Sequence, residues 1–375
     1  MDYSRRRFLQ TAAVGGASVI GSGLASGVAP LTAKQIVSQD GKGRKMLILG
    51  GTRFLGPHLV NTALESGWEV TLFNRGKSAP KMFSKLETLI GDRKDNLTAL
   101  EGRKWDVVID TSGYVPGHVK ASAELLAENV GHYVFISTVS VYDDKEGLPL
   151  SEESPLGVLE DETTEEVTGK TYGPLKALCE QAAEAAMPGR VTVVRPGLIV
   201  GPLDNSGRFT YWPYRVAQGG EVLAPGDPNA AIEFIDVRDL AEFTFTCIHN
   251  STYGVFNANG AGIGVSMQEL LHGCKMVLGA DAKFTWLSDE FLAEAGVGAW
   301  IEMPLWIPAD YPNGRTVISK AVAAGLTHRA PGDTIRDTYK WSLTALDSRR
   351  TLGNSLKPEK EATVLEKWHK RPISE

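Results

Sequence analysis

The chain has 375 residues, 42% of them hydrophobic, a formal net charge of -6 and three cysteines. That acidic balance gives no electrostatic reason to bind nucleic acid. The scattered Cys179, Cys247 and Cys274 are too few for a disulfide framework or a metal cluster, and read as small buried hydrophobes with no metal site expected.

The first element is "SRRRFLQTAAVGG", residues 4–16, where Arg5, Arg6 and Arg7 precede Phe8 and a stretch rich in Ala, Gly and Ser that runs to Pro30. A basic n-region ahead of a weakly apolar run is the layout of a cleavable leader, assigned here to residues 1–35. The run is too rich in small residues for a stable membrane span. It resembles a twin-arginine export signal, an address read by the export machinery, and implies a periplasmic bacterial protein that crosses the membrane already folded. No Cys follows the run, which argues against a lipid anchor. Cleavage near Ala29 and near Ala33 fit equally. The chain that remains suits one large domain or two lobes.

From Lys45 onward short apolar runs alternate with helical stretches. "MLIL" (46–49) predicts a buried strand and Pro57–Ser66 a helix; "WEVTLFNR", "LETLIGD" and "WDVVIDTSG" predict three more strands. "HVKASAELLAENV" reads as a helix before the strand "HYVFIST", and the helix opening near Tyr172 leads to a sixth strand, "RVTVVRPGLIV". Strands alternating with helices of this length predict an α/β fold, a Rossmann-like doubly wound parallel sheet. The regularity breaks up beyond Gly201, which predicts a smaller C-terminal substrate lobe. The expected division is a dinucleotide-binding domain over 44–202, rejoined by 234–258, with a substrate lobe over 203–233 and 259–346. A charged amphipathic helical tail over 347–375 is expected to cover the Rossmann lobe or a partner subunit.

"LILGGTRFLGPHLV" sets Gly50, Gly51 and Gly56 between the first strand and its helix. Glycines there allow a tight turn and let backbone approach a pyrophosphate at a helix N-terminus. Thr52, Arg53, Phe54 and Leu55 complete the expected contact. The spacing resembles the G-x-x-G-x-x-G of short-chain dehydrogenases/reductases, with Arg53 where the middle Gly is usual. NAD-specific folds carry an Asp or Glu at the end of the second strand for the ribose hydroxyls. This chain has Asn74, followed by Arg75 and Lys77. Arg53 and Arg75 would clamp a 2′-phosphate, so the cofactor expected is NAD(P), with NADP favoured over NAD; solvated surface cations are the alternative. Asp92 is placed at the adenine, although a turn Asp would look the same, and Ser112 follows the fourth strand.

"KTYGPLKALCE" holds Tyr172 and Lys176, four residues apart and so on one face of a helix. A phenol titrates near pH 10, too high for a base near neutrality, and an adjacent ammonium is expected to lower it. Upstream, "VFISTVSVYDD" supplies Thr138. With the glycine turn, these residues resemble the extended short-chain dehydrogenase/reductase superfamily, its epimerase/dehydratase branch, from about Lys45 to Leu346. The resemblance implies that Tyr172 is the general acid/base for a substrate hydroxyl and that Thr138 orients the same oxygen. It also implies that Lys176 binds the nicotinamide ribose and tunes Tyr172. "RPGLIVGP" and "FIDVRDLA" match that branch as well. Pro196 would then lie against the nicotinamide and Arg238 is a candidate substrate contact, while Asp239 reads equally as a helix cap.

The departures from the branch point to a substrate. Dehydratases resemble "STDEVY", whereas "STVSVY" here puts Val139 and Ser140 in place of both acids. Leu198 and Ile232 stand where nucleotide-sugar enzymes carry an Asn and an Arg, which disfavours a nucleotide sugar. "RFTYWPYR" gathers Phe209, Tyr211, Trp212 and Tyr214, and Trp286, Trp306 and Tyr311 follow. Such rings suit the apolar face of a sugar or another alicyclic substrate, with Tyr211 and Trp212 expected to line the cleft and a hydrophobic core as the alternative. The expected function is an NAD(P)-dependent epimerase or oxidoreductase at a carbinol, redox-neutral and with retained cofactor. A plain NADP-dependent dehydrogenase or ketoreductase uses the same residues. A third reading comes from "GGTRFLG", which resembles the turn of chloroplast stem-loop-binding proteins, where this fold is associated with RNA; acidity, the Tyr172/Lys176 pair and the leader oppose it. A homodimer is allowed, and nothing in the sequence fixes the oligomer.

Overall fold

The computed structural model describes residues 41–371 apart from 80, 144–146, 162, 261–263, 312–313 and 345–351. The leader assigned to residues 1–35 lies outside them. The strands are β1 (Lys45–Leu49), β2 (Glu69–Asn74), β3 (Glu87–Ile90), β4 (Trp105–Asp110), β5 (Val130–Ile136), β6 (Val191–Pro196), β7 (Gly220–Pro225), β8 (Gly254–Ala258) and β9 (Ala282–Leu287), beside two-residue pairs. The longer helices are α1 (Leu55–Glu65), α2 (Pro116–Leu126), α3 (Tyr172–Ala186), α4 (Tyr211–Ala217), α5 (Val237–His249), α6 (Met267–Leu278), α7 (Pro331–Thr344) and α8 (Pro358–Lys370).

Seven strands form one parallel sheet in the order β8-β6-β5-β4-β1-β2-β3. Its central strands are apolar on both faces because both are covered, while the edge strand β3 is largely exposed. Met46 and Ile48 point to the side packed by α1 and α5, while Leu47 and Leu49 point to the side packed by α2 and α3. The period-2 alternation of β1 thus feeds two cores at once. The chain leaves β1 for β2 in one direction and the sheet continues through β4 in the other, so a crevice opens beyond the carboxyl ends of these two strands, where open α/β sheets bind ligands. All three cysteines are buried.

A second core forms around β7, β9, α4 and α6. The C-terminal helix packs here, contrary to the expectation that it covers the Rossmann lobe. Val364 and Leu365 join this cluster, and Glu361 accepts from Arg215 Nε (2.6 Å) and from the Leu223 backbone N–H (3.0 Å). The expected substrate role of Tyr211 and Trp212 is also corrected. Trp212 is fully buried, its indole N–H donates to the Pro304 carbonyl at 2.7 Å, and Tyr211 packs edge-on against it. Seven-residue α4 has too few turns to present one aromatic face to a cleft while another fills the core, and the core takes both rings. Trp212→Ala is therefore expected to destabilise the fold by about 3–5 kcal/mol, read as a shift in the urea midpoint.

Candidate active site

Between β1 and α1 the backbone turns through Gly50 (φ 103°) and Gly51 (φ 82°), a region that L side chains rarely adopt. A Cβ on Gly56 would fall 2.5 Å from the Gly51 carbonyl carbon, so the first turn of α1 sits directly on the loop. No side chain caps the α1 N-terminus and no acid lies in its first turn, which leaves its N–H groups to an anion. A Cβ at Gly50, Gly51 or Gly56 would collide with Thr111, Leu72 or the Gly51 backbone, so only glycines let the turn lie this close to α1, and this cradle fits a dinucleotide pyrophosphate.

A cleft of about 580 Å³ runs from the turn. It is lined by Gly50 through Gly56, Asn74, Arg75, Asp92, Ser112, Tyr172 and Lys176, which brings together most of the residues singled out in the sequence. Asn74 is occupied in shaping the rim: its Oδ1 accepts from the Gly76 N–H (2.8 Å) and its Nδ2 donates to the Gly50 carbonyl (3.4 Å). Asp92 lines the cleft and also takes the turn role, accepting from the Lys94 N–H. Ser112 donates to the Leu49 carbonyl at 3.3 Å.

Two placements differ from expectation. Pro196 is buried in β6 against Ala258 and is not among the residues lining this cleft. Arg238 does not face substrate, because Asp236 (2.7 Å) and Asp337 (2.5 Å) hold its guanidinium and it lines neither cleft. A basic residue two positions after a buried helix-capping Asp was satisfied locally.

Tyr172 opens α3 and Lys176 follows one turn later. Only glycine fits at 173, since a Cβ there would lie 1.9 Å from the Ser140 carbonyl oxygen. This contact presses the start of α3 onto the turn at Val139–Val141, which Thr138 caps by accepting from the Ser140 N–H. Arg195 on β6 anchors the next turns of α3 with Nη2 2.6 Å from Glu180 Oε2. The Thr138 hydroxyl donates to Ser140 Oγ at 3.2 Å and lies close enough to the Tyr172 phenol to draw its pKa down.

The expectation that Lys176 lowers the Tyr172 pKa is not met in this geometry. Burial is the largest influence, and with neighbouring Tyr114 it raises the phenol above its usual value despite Thr138. The Lys176 ammonium instead donates to the Gly113 and Ile136 carbonyls, both at 2.7 Å, and lies 4.0 Å from the Phe135 ring centroid. Burial lowers its pKa from 10.5 to about 8, opposed by Asp110. Below pH 8 both folded and unfolded chains hold this proton, so the cost of burying the charge is present in full. Between pH 8 and 10.5 the unfolded chain binds more of it, so stability rises with pH. Wild type is expected to gain up to about 3 kcal/mol on Lys176→Met between pH 7 and 10, measured by urea midpoints.

The sequence did not reveal the support beneath this group. Buried Asp110 accepts from Arg93 Nη1 (2.6 Å), the Tyr133 hydroxyl (2.8 Å) and the Ser112 N–H (3.0 Å), fixing the loop whose Gly113 carbonyl holds Lys176. Tyr114 was also missed. Its ring lies 6.3 Å from that of Tyr172 at the cleft mouth, and its place two residues after Ser112 is the one local signal.

A second cleft of about 790 Å³ lies on the far side of Thr138. It is lined by Ser140, Glu233, Asn259, Trp300, Trp306, Tyr311 and Arg315 among others. Trp306 and Tyr311 were named from the sequence; Glu233, Asn259 and Arg315 were not. Among the described residues no His/Cys/Asp/Glu group could hold a metal ion, and no helix is long and apolar enough to cross a membrane.

The chain is 28% identical over 242 residues to the chloroplast stem-loop binding protein of 41 kDa b from Arabidopsis thaliana, a match spanning 58% of this chain and 59% of that protein. It is 26% identical over 292 residues to UDP-glucose 4-epimerase from Yersinia enterocolitica, spanning 64% of this chain and 84% of the relative. Among solved structures, UDP-glucuronic acid 4-epimerase from Bacillus cereus in complex with NAD superposes with a TM-score of 0.59 at 16% identity, covering 79% of this chain and 96% of that one; at that identity the likeness concerns the fold alone. The profile of the NAD dependent epimerase/dehydratase family matches residues 46–258, more than half of the chain. The glycine cradle, the Tyr172/Lys176 helix and this match lead to one assignment: the chain belongs to the NAD dependent epimerase/dehydratase family, within the extended short-chain dehydrogenase/reductase superfamily.

Proposed function

We propose that the protein is an NAD(P)-dependent epimerase-type oxidoreductase acting at a carbinol of a carbohydrate-like or alicyclic substrate. The observation that carries this reading is that Tyr172 and Lys176 line the cradle cleft, while Thr138, which lines neither cleft itself, sits beside the Tyr172 phenol and donates to Ser140 on the wall of the second cleft. The bound nicotinamide would supply the hydride acceptor and donor. Gly50 through Gly56 would hold its pyrophosphate, with Asp92 and Ser112 lining the nucleoside side. In the oxidising direction Tyr172 Oη takes the carbinol proton, and in the reverse direction it returns a proton to the carbonyl oxygen. Thr138, beside that phenol, would hold the same oxygen, and Lys176, oriented by the Gly113 and Ile136 carbonyls, would hold the nicotinamide ribose.

The nucleotide preference is read as NADP over NAD. Position 74 carries no carboxylate, and Arg53, Arg75 and Lys77 all line the cleft against the single carboxylate of Asp92 on the nucleoside side, a balance that favours a 2′-phosphate.

The N-terminal twin-arginine-like segment bears on turnover. Export of a folded protein to the periplasm, where free NAD(P)H is scarce, favours a cofactor loaded beforehand and a reaction that is redox-neutral over a full cycle. The reading is thus of an epimerase, or a coupled oxidoreductase, with retained nucleotide. Mass spectrometry of nucleotide released from the mature, desalted protein tests it: about one NADP per chain is expected, and a nucleotide-free protein would count against it.

The Arabidopsis relative favours one competing reading, RNA binding of the stem-loop type. The net charge of -6 opposes it, and filter binding whose affinity fell steeply with salt would revive it.

A further inference from the structure

The charges of the second cleft do not match a diphosphate. Among the described residues that line it, formal charges come from Glu233, Asp310 and Arg315, two carboxylates against one guanidinium. That guanidinium is already partnered, with Arg315 Nε 3.6 Å from Glu233 Oε1. The other carboxylate oxygen of Glu233 accepts from Asn259 Nδ2 at 2.9 Å and from the Thr316 N–H at 3.2 Å. Asn259 also donates to Thr316 Oγ1 at 3.1 Å. The result is a connected row, Arg315–Glu233–Asn259, with no net charge but with both donors and acceptors.

Asn259 carries an open valence as well. The residue is 3% exposed, yet its Oδ1 has no hydrogen-bond partner. That oxygen is sealed against Gly197, so Asn259 acts by fixing Glu233 and Thr316 at the cleft wall. Trp300, Trp306 and Tyr311 share the cleft with this row. Flat apolar rings beside a neutral set of donors and acceptors complement a ring with one C–H face and several hydroxyls.

We infer that the second cleft is the subsite for an uncharged polyhydroxylated ring, a free sugar or glycoside, whose hydroxyls are read by Arg315 and Glu233, with Asn259 orienting Glu233, and that Glu233 excludes diphosphate-linked sugars. A diphosphate would bring two negative charges beside Glu233 and Asp310 while Arg315 is engaged, and like-charge juxtaposition is a strong discriminator. The inference rests on the reading that the reacting carbinol meets Tyr172, whose neighbour Thr138 donates to Ser140 on the wall of the second cleft.

Calorimetric titration of the nucleotide-loaded mature protein with a panel of methyl hexopyranosides and with UDP-glucose tests it. At least one pyranoside is expected to bind about tenfold or more tighter than UDP-glucose. Arg315→Ala should weaken that pyranoside about tenfold. Glu233→Gln keeps an acceptor for Asn259 but frees Arg315, and should strengthen UDP-glucose about tenfold. UDP-glucose binding wild type more tightly than every pyranoside, or an unchanged UDP-glucose affinity in Glu233→Gln, would overturn the inference. Absorbance of reduced nicotinamide, followed in parallel, separates the two readings. Reduction by UDP-glucose alone would remove the subsite and keep the chemistry, whereas pyranoside binding without reduction would keep the subsite and remove the chemistry.

Discussion

Tyr172→Phe is expected to lower turnover by about 10²–10⁴-fold, the usual contribution of a positioned general acid/base. The substitution keeps the ring, and with it the tilted contact to Tyr114 at 6.3 Å. The lost atom is the hydroxyl beside Thr138. Folding and nucleotide content should therefore stay close to wild type, and the loss should fall on kcat with little change in KM. Steady-state kinetics on a reactive substrate, with the released nucleotide quantified in both proteins, checks this. A loss smaller than tenfold would remove the phenol from the proton-transfer role.

Gly56→Val should abolish nucleotide retention. Its Cβ would stand 2.5 Å from the Gly51 carbonyl carbon and 2.7 Å from the Gly51 Cα, and both of those are backbone. The loop has no flexible side chain to move aside, so either α1 shifts away from the turn or the turn opens. Either response pulls the α1 N–H groups out of register with the pyrophosphate position. The sheet is held by interactions elsewhere, so the variant should fold with a lower urea midpoint and come through desalting without nucleotide. Retention at the wild-type level would place the cofactor somewhere other than this turn.

Six of the seven strands were legible as short runs between turn signals, whereas β8 was placed only within the 234–258 return to the sheet. "MLIL", "WDVVIDTSG" and "HYVFIST" had only one reading at that length. The cofactor turn was legible for a similar reason: glycines at the end of a strand and the start of a helix have few other uses. What the sequence did not show depends on pairings far apart along the chain. The Arg93–Asp110–Tyr133 network joins residues separated by 17 and 23 positions. Arg315 and Glu233 meet across still more of the chain, and no local pattern announces them.

The aromatic residues show the limit from the other side. Trp212 and Trp306 look alike as sequence and both join the second core, Trp212 donating to the Pro304 carbonyl and Trp306 to Asp289, yet only Trp306 also borders the cleft. The charged tail helix likewise had no partner readable from its own residues. It docks where Arg215 and the Leu223 N–H can both reach Glu361. The Lys176 contacts were hidden as well, because two backbone carbonyls, not a side chain, hold the ammonium.

The central claim is that Tyr172 exchanges a proton with a carbinol beside a nucleotide held on the Gly50–Gly56 cradle. It is tested most directly by mixing the purified, nucleotide-loaded protein with a panel of methyl glycosides and recording reduced-nicotinamide absorbance within one turnover. Reduction by at least one glycoside in wild type, and its loss in Tyr172→Phe at equal nucleotide content, is the predicted result. Equal reduction in both proteins would contradict the claim.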